Sequence, residues 1–232
     1  MLEIRDLDVH HGNSRTLKGL SLTLSPGEVL CLLGRNGAGK TTTLKAIMGQ
    51  MKASAGSITL DGRELTELPA HEVPKCGIGY VPQGRRLFAE LTVRENLEIG
   101  LMTRGSGKEI LEQSLTLFPR LRERLNQVAA TLSGGEQQML ATARALCIDP
   151  SVILLDEPTE GLMPSMIATI RDVVTTLRVR GKAILLVEQR MEAVLSVADR
   201  VCFIENGSVM ATLPVQALKD DPSLFARYVG VG

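Results

Sequence analysis

A glycine-rich run, GRNGAGKT at residues 34–41, constrains the fold of this chain more than any other feature of its sequence. The run follows a continuous apolar segment, Val29–Leu33, and precedes Leu44, Ile47 and Met48, which recur at helical spacing. It fits the pattern G-x-x-x-x-G-K-T, in which a loop between a buried strand and a helix surrounds phosphate oxygens with backbone N–H groups. The sequence therefore predicts a strand, a phosphate-binding loop and a helix, in that order.

The residue types within this loop suit an anionic ligand. Glycines allow the backbone to approach phosphate closely, Lys40 adds a full positive charge, and the hydroxyl of Thr41 can hold Mg²⁺. A glycine-rich turn with an incidental lysine is the alternative, and the strand and helix on either side argue against it. The predicted phosphate-binding residues are Gly34, Arg35, Asn36, Gly37, Ala38, Gly39, Lys40, Thr41 and Thr42.

Two acidic residues stand directly after a second apolar run, residues 152–155. A phosphate-loop fold needs one carboxylate near the metal ion and another near the attacking water at such a strand end. We therefore assign Asp156 to the orientation of Mg²⁺ and its waters, and Glu157 to the role of general base or water-positioning group. Taken alone, an acidic pair at a strand end is as often solvated surface as a site, so the assignment depends on the phosphate loop.

The segment LSGGEQQ, residues 132–138, precedes another helical pattern. Ser133 and Glu136 have the spacing of a capping box, which an ordinary helix start would explain. A cap does not explain Gly134 and Gly135, because each glycine costs a helix roughly 1 kcal/mol unless a backbone or a ligand must approach closely. Two bare glycines beside an N-cap hydroxyl favour an anion site.

Buried strands and helices alternate along much of the chain. After the acidic pair a helix is predicted to begin near Pro164, and residues 183–187 form a third buried strand pattern. Continuous apolar strands that alternate with helices indicate a parallel sheet covered on both faces, which makes the core α/β.

Two other stretches have a different pattern. Residues 1–25 and 57–81 alternate and are rich in Thr, Asp and Gly, which predicts a small antiparallel sheet. Turns are expected at Asp61-Gly62 and Asn206-Gly207. Residues 84–148 have mostly helical patterns and are expected to form an inserted helical lobe.

Composition excludes several classes of protein. Lys plus Arg and Asp plus Glu are 26 each, so no net charge favours nucleic acid as a partner. The longest aliphatic runs are strand-length, far below the roughly 20 residues of a membrane-spanning helix. The N-terminus lacks a secretory pattern, so a cytosolic protein is expected. The four cysteines have no metal-ligand spacing and are predicted to be reduced, with Cys31, Cys147 and Cys202 buried.

The phosphate loop, LSGGEQQ and ILLDEP, in that order, resemble the nucleotide-binding subunit of an ATP-binding cassette (ABC) transporter along nearly the whole chain. The resemblance implies a P-loop NTPase core of the RecA-like kind, with a parallel sheet, a small antiparallel β subdomain and an inserted helical subdomain. It implies one domain, 1–232, with the core at 1–83 and 149–232 and the helical subdomain at 84–148. ATP and Mg²⁺ are the implied cofactors.

The resemblance also implies a shared ATP site. In this family two subunits face each other head to tail, and each ATP lies between the phosphate loop of one and the LSGGE segment of the other. Ser133, Gly134, Gly135 and Glu136 would therefore complete a partner's site, and hydrolysis would require a dimer.

Four further positions carry over from the family. Gln83, after Val81 and Pro82, would bind Mg²⁺ or the attacking water, although a plain Pro-Gln loop is the alternative. His11 stands where relatives place an aromatic residue that stacks on adenine. Met163 departs from an Asp that in relatives touches the opposite subunit. Gln189 replaces a His that contacts the terminal phosphate, and because an amide cannot titrate near neutral pH, we expect Gln189 to hold the phosphate without moving a proton.

Three segments narrow the resemblance further. Val-Glu-Gln at residues 187–189, VPQGRRLF and LTVRENL are similar to importers of branched-chain amino acids and urea. Such systems imply a second ABC ATPase of a different chain, transmembrane permease subunits and an extracytoplasmic solute-binding protein. They also imply a cytoplasmic subunit, peripheral on the inner face of the cell membrane.

The segment after Gln83 is where such subunits receive a permease helix. Leu87 and Phe88 would be apolar anchors with Arg85 and Arg86 at the rim, unless the two apolar side chains are buried within the lobe.

Three other functions compete with an importer. An exporter ATPase is the main alternative. A cassette protein acting on ribosomes or chromosomes would need tandem cassettes or a long coiled coil, and a small-molecule phosphotransferase has no role for LSGGEQQ.

Overall fold

Two β-sheets of different kinds organise the chain in the computed structural model, which describes residues 1–230. The strands are β1 (Leu2–His11), β2 (Ser14–Leu24), β3 (Val29–Leu33), β4 (Ala53–Leu60), β5 (Arg63–Glu64), β6 (Ile78–Val81), β7 (Val152–Asp156), β8 (Ala183–Val187), β9 (Arg200–Glu205) and β10 (Ser208–Pro214). The α-helices are α1 (Lys40–Ile47), α2 (Val93–Met102), α3 (Lys108–Leu117), α4 (Pro119–Arg122), α5 (Gly134–Leu146), α6 (Pro164–Val179), α7 (Met191–Val197), α8 (Val215–Asp220) and α9 (Ser223–Val229).

The larger sheet has six strands in the order β10-β9-β3-β8-β7-β6. Neighbouring strands from β9 to β6 run parallel, and β10 is added antiparallel to β9 at one edge. Strands β3 and β8 have the predicted bounds, and β7 extends one residue beyond the predicted run to include Asp156. All residues of these three strands are buried, as continuous apolar runs predict for a parallel sheet covered on both faces. The predicted α/β class is confirmed.

The smaller sheet is antiparallel, in the order β2-β1-β4-β5. It confirms the prediction for residues 1–25 but corrects the one for 57–81. Strand β4 begins earlier, at Ala53, and Ile78–Val81 pair in parallel with β7 in the larger sheet. Strand β6 has only four residues, too few for its sequence pattern to distinguish a strand buried on one face from one buried on both. Gly79 in this strand packs closely against helix α5, because a Cβ there would be 3.0 Å from the Ala145 carbonyl oxygen.

Residues 84–148 contain helices α2 to α5, as predicted. Helices α2 and α5 both begin with capping boxes, Thr92 with Glu95 and Ser133 with Glu136. One apolar cluster nevertheless runs from these helices into the larger sheet without interruption. The division of the chain into a core and a helical subdomain at these boundaries therefore stays a prediction.

Strand β3 separates two apolar cores. Val29, Cys31 and Leu33 face the cluster shared with helices α2 to α6, whereas Leu30 and Leu32 face the cluster shared with the antiparallel sheet and helix α1. This alternation follows from the two-residue period of a strand. The end of β3, where the phosphate loop begins, is thus held from both sides.

The cysteines behave as expected. All four are free thiols; Cys31, Cys147 and Cys202 are buried, and Cys76 is partly exposed. In the part of the chain that the structure describes, no helix has the length and apolar character needed to cross a bilayer.

The turn between β9 and β10 packs closely against two other parts of the chain. Gly207 has φ 83°, its N–H donates to the Ala38 carbonyl at 2.9 Å, and its carbonyl accepts from the Lys18 N–H at 2.9 Å. A Cβ at Gly207 would collide with the Thr16 carbonyl oxygen. The other predicted turn glycine, Gly62, has φ 82° and open space around it.

This pair allows a matched test of backbone packing. Both Gly62→Ala and Gly207→Ala place a side chain in the left-handed region, which costs about 1–2 kcal/mol, but only Gly207→Ala adds a collision with backbone. We expect Gly207→Ala to lower the free energy of unfolding by at least about 1 kcal/mol more than Gly62→Ala in urea denaturation. Equal losses in the two variants would show that the turn does not press on Thr16.

Candidate functional site

The site lies where neighbouring parallel strands end. Strands β3, β8, β7 and β6 are adjacent in the sheet, so the loops that follow them meet at its carboxyl edge. Those four loops carry the phosphate loop, Gln189, Glu157 and Gln83. A cavity of about 500 Å³ opens there, lined by Thr16, Asn36, Gly37, Gly39, Lys40, Thr41, Thr42, Gln83, Glu157, Glu160 and Gln189.

The phosphate loop folds as its sequence predicts. Gly37 and Gly39 have φ 81° and 114°, which glycine adopts at little cost. Lys40 begins helix α1 and is buried, and its Nζ donates to the carbonyl oxygens of Gly34 at 2.7 Å and Arg35 at 3.1 Å. Burial lowers the pKa of Lys40, while the nearby carboxylates of Glu157 and Asp156 act in the opposite direction.

Asp156 is buried at the end of β7 and contacts the residue predicted to share Mg²⁺ with it. The Thr41 hydroxyl donates to Asp156 Oδ1 at 3.2 Å, and the Tyr80 hydroxyl lies 3.5 Å from Oδ2. Burial raises the pKa of Asp156, and the Thr41 hydrogen bond opposes that rise. A buried carboxylate beside a hydroxyl is a suitable oxygen donor pair for Mg²⁺, which takes one or two carboxylates together with substrate phosphates.

Phosphate oxygens would have to complete this metal site. Within residues 1–230, no group of three His, Cys, Asp or Glu side chains is placed to hold a metal ion. Thr41 and Asp156 are in contact, although Asp156 does not itself line the cavity. Gln83 Nε2 contacts Glu157 and Glu160 instead, so its predicted place in the metal site stays a prediction.

Glu157 is held by two amides. Its Oε1 accepts from Gln189 Nε2 at 2.5 Å, and its Oε2 accepts from Gln83 Nε2 at 3.3 Å. Gln189 Nε2 also lies 3.3 Å from Asn36 Oδ1 in the phosphate loop. Glu157 has φ 50°, a left-handed conformation that is strained for a non-glycine residue and is common at functional sites. The structure thus brings Glu157 together with Gln83 and Gln189, and the predicted roles of the two glutamines towards Mg²⁺ and phosphate stay predictions.

Two further acids belong to this region and were missed from the sequence. Glu160 lines the cavity and accepts from Gln83 Nε2 at 3.0 Å. Glu188 is buried, and one of its oxygens accepts from the Thr159 hydroxyl at 2.7 Å, which ties the loop after Glu157 to the loop that carries Gln189. Burial raises the pKa of Glu188. Glu160 could have been predicted from its position three residues after Glu157. Nothing in the Val-Glu-Gln segment indicates that the carboxylate of Glu188 is buried.

The LSGGE segment lies outside this cavity. The Ser133 hydroxyl donates to Glu136 Oε2 at 2.8 Å and accepts from the Glu136 N–H at 3.4 Å, which confirms the predicted capping box. The two glycines also have intramolecular neighbours. A Cβ at Gly134 would lie 3.1 Å from the Arg85 guanidinium, and a Cβ at Gly135 would lie 2.8 Å from the Met166 side chain. Packing inside the chain thus accounts for part of what the sequence attributed to a ligand.

His11 also lies apart from the phosphate loop. It borders a second cavity, of about 730 Å³, together with His10, Tyr80, Pro82 and Arg86. Its predicted contact with adenine stays a prediction. Gly34, Arg35 and Ala38 are likewise absent from the lining of the first cavity, so their contact with phosphate stays a prediction that rests on the motif.

Several known proteins resemble this chain in sequence and in fold. The ABC transporter family matches residues 17–160 of the chain. BraG, a high-affinity branched-chain amino acid transport ATP-binding protein of Pseudomonas aeruginosa, is 40% identical over 232 residues, which cover 99% of this chain and 100% of BraG. LptB, a lipopolysaccharide export system ATP-binding protein of Haemophilus influenzae, is 33% identical over 237 residues, which cover 99% of this chain and 97% of LptB.

A solved ATP-binding cassette of an ABC transporter, in its ADP conformation, has the same fold with a TM-score of 0.86 and 27% identity, covering 100% of this chain and 99% of that chain. The family match contains the phosphate loop, Gln83, the LSGGE segment, Asp156 and Glu157. The chain therefore belongs to the ABC transporter family, as an ATP-binding subunit that hydrolyses ATP to power transport.

Proposed function

We propose that this subunit powers the uptake of branched-chain amino acids or of a related small polar solute such as urea. The observation that carries the proposal is its similarity to BraG along the full length of both chains, at 40% identity. The weaker similarity to LptB, 33%, keeps an export ATPase as the second candidate. Gln189, which lines the cavity in place of the expected His, also supports the importer. It belongs to the Val-Glu-Gln segment, which resembles that subfamily.

The residues around the cavity have separable roles in hydrolysis. Backbone N–H groups of the phosphate loop and the N-terminus of α1 would bind the phosphates of ATP, and Lys40 Nζ would exchange its two carbonyl partners for phosphate oxygens. Mg²⁺, held by Thr41, Asp156 and Gln83, would neutralise charge on the terminal phosphates. His11 would contribute by stacking on adenine.

Glu157 is the proposed general base. A water placed between its carboxylate and the terminal phosphate would lose a proton to Glu157 as it attacks. The amides of Gln83 and Gln189, at 3.3 and 2.5 Å, hold the carboxylate oxygens and fix their orientation. Gln189 acts here as a neutral donor, because its amide exchanges no proton near pH 7.

Each ATP site is proposed to be completed by a second subunit. Ser133, Gly134, Gly135 and Glu136 lie outside the lining of the chain's own phosphate cavity and stand at the start of helix α5. Backbone N–H groups and a positive helix end at such a place suit the phosphates of an ATP bound by another subunit. We propose that this second ATPase is a different chain.

The proposed partners follow from this role. The subunit would lie on the cytoplasmic face of the membrane, bound to transmembrane permease subunits and served indirectly by an extracytoplasmic solute-binding protein, with no nucleic acid partner. Phe88 is 49% exposed and can be an apolar anchor for a permease, whereas Leu87 is partly buried against the main core and can contribute less. Met163 is 65% exposed and available for contact across the dimer.

Uptake in the host organism tests the solute class. Deletion of the gene is expected to abolish uptake of labelled leucine or labelled urea, and the wild-type gene should restore it, whereas the Glu157→Gln gene should not. If both solutes enter the deletion strain at the wild-type rate, the importer proposal is wrong. Neighbouring genes for two permeases, a second ATPase and a secreted binding protein would support the same conclusion.

The role of Glu157 has a direct test. We expect Glu157→Gln to bind ATP with unchanged affinity and to lower turnover by about 10²–10⁴-fold, because the general base is lost while the shape of the site is kept. ATPase assays of the assembled transporter, with a fluorescent ATP analogue for binding, measure both quantities. Undiminished turnover would remove Glu157 from this role.

The role of Gln189 has a separate test. Gln189→Ala removes a hydrogen bond to a charged carboxylate, worth roughly 1.5–3 kcal/mol, so turnover should fall about 10- to 100-fold with ATP affinity retained. Gln216→Ala, which removes an exposed glutamine from α8, is the matched control and should leave turnover unchanged. Equal turnover in the two variants would contradict the proposal that Gln189 orients Glu157.

A further inference from the structure

The loop that follows Gln83 has an unusual backbone. Gly84, Arg85 and Arg86 have φ 79°, 65° and 49°, so three successive residues are in the left-handed region and two of them carry side chains. Such a conformation costs free energy and persists only where surrounding contacts fix it. The contacts that hold the loop in this conformation therefore indicate its role.

Both arginines attach the loop to helix α5. Arg85 Nη1 donates to Gln137 Oε1 at 3.2 Å, in the first turn of the helix. The carbonyl of Arg86 accepts from Arg144 Nη2 at 2.7 Å, in the last turn. The Arg144 guanidinium also lies over the ring of Phe88, 5.2 Å from its centre. Two hydrogen bonds thus attach the loop to α5, one at the first turn of the helix and one at the last.

The Arg85 guanidinium also packs against the LSGGE segment itself. A Cβ at Gly134 would lie 3.1, 3.3 and 3.4 Å from its Nη2, Nη1 and Cζ atoms, so a side chain there would force Arg85 to move. Arg85 is partly buried, and the sequence had placed its side chain at the rim of a docking surface. The structure shows instead that this side chain turns inward to the start of α5.

A short path therefore joins two parts of the machinery. Gln83 contacts Glu157 and Glu160 at the chain's own ATP site, at 3.3 and 3.0 Å. Arg85, two residues later, contacts Gly134 and Gln137 beside the segment proposed to complete the partner's site. A displacement of Gln83 by bound nucleotide would be passed on to that segment through the left-handed turn and the contacts of Arg85.

We propose that Arg85 is a positioning residue that couples the ATP site of its own chain to the LSGGE segment offered to the partner. The inference rests on the proposed shared site. It assigns to Arg85 no contact with ATP or with the reacting atoms. Its consequence is that Arg85 contributes to the coupling by which occupation of one ATP site adjusts Ser133 and its neighbours at the other.

The experiment uses the assembled transporter and varies the ATP concentration. Arg85→Ala is expected to lower kcat about 10-fold, within the range usual for coupling between sites, and to bring a wild-type Hill coefficient above 1 down towards 1. Binding of a fluorescent ATP analogue to this subunit should change less than about twofold, since Arg85 lies outside its own phosphate cavity. A role confined to folding would not separate kcat from ATP affinity in this way.

Three further variants sharpen the result. Arg94→Ala, which removes an exposed arginine of α2, is the matched control and should match the wild type. Gln137→Leu removes the acceptor and should reproduce the Arg85→Ala effect, and the double variant should be no worse than either single one. Arg85→Lys keeps the charge but not the planar fork, and should fall between Arg85→Ala and the wild type.

The outcomes separate this proposal from the shared site. If Ser133→Ala lowers turnover but Arg85→Ala and Gln137→Leu behave like Arg94→Ala, the shared site stands and the coupling is wrong. If Ser133→Ala also leaves turnover and the Hill coefficient unchanged, the shared site itself fails. A wild-type Hill coefficient of 1 would contradict the coupling. Should Arg85→Ala fail to copurify with the permease, Gln137→Leu decides the question alone.

Discussion

The ammonium group of Lys40 lies within a loop of its own backbone, 2.7 Å from the Gly34 carbonyl oxygen, and the rest of the site depends on that placement. A buried cation needs polar partners, and the loop supplies them from carbonyl groups that its own glycine-dependent turns direct inward. Residues of the same loop and of the start of α1 line the cavity. Strand β3 holds the loop in place because its two faces are packed in two different apolar cores.

The two consecutive acids at the end of β7 have different surroundings. Asp156 completes the strand, is buried and contacts Thr41, whereas Glu157 turns through a left-handed conformation into the cavity. One carboxylate is thus placed beside the hydroxyl proposed to hold the metal ion, and the other between two amides that can orient it. These different surroundings suit the two carboxylates to the different roles proposed for them. A glutamine at position 189 suits this arrangement, since its side-chain amide stays neutral and can donate a hydrogen bond to Glu157 whether or not nearby groups are protonated.

The features that depend on residues close together in the sequence were predicted correctly. The bounds of β3 and β8, the start of α6 at Pro164 and the capping box of Ser133 and Glu136 follow from runs, periods and spacings within a few residues, and the structure confirms them. The sheet assignment of Ile78–Val81 was wrong because four residues carry too little pattern, and pairing with β7 is set by contacts more than 70 residues away along the chain. The buried Glu188 and the packing of Arg85 on Gly134 are long-range side-chain contacts of the same kind, which no spacing reveals. The roles of the site residues in binding and hydrolysis stay predictions, supported by how closely the structure gathers Lys40, Glu157 and Gln189.

The turn at Asn206 and Gly207 has a consequence for engineering the protein. An Asn-Gly hairpin turn is ordinarily a permissive place for a peptide tag or an inserted reporter domain, because little else depends on it. Here the turn braces Ala38 of the phosphate loop on one side and Thr16 of β2, which lines the nucleotide cavity, on the other. An insertion at this hairpin would weaken the contacts that support the phosphate loop. The turn at Asp61 and Gly62 offers the better attachment point, because its glycine has open space around it.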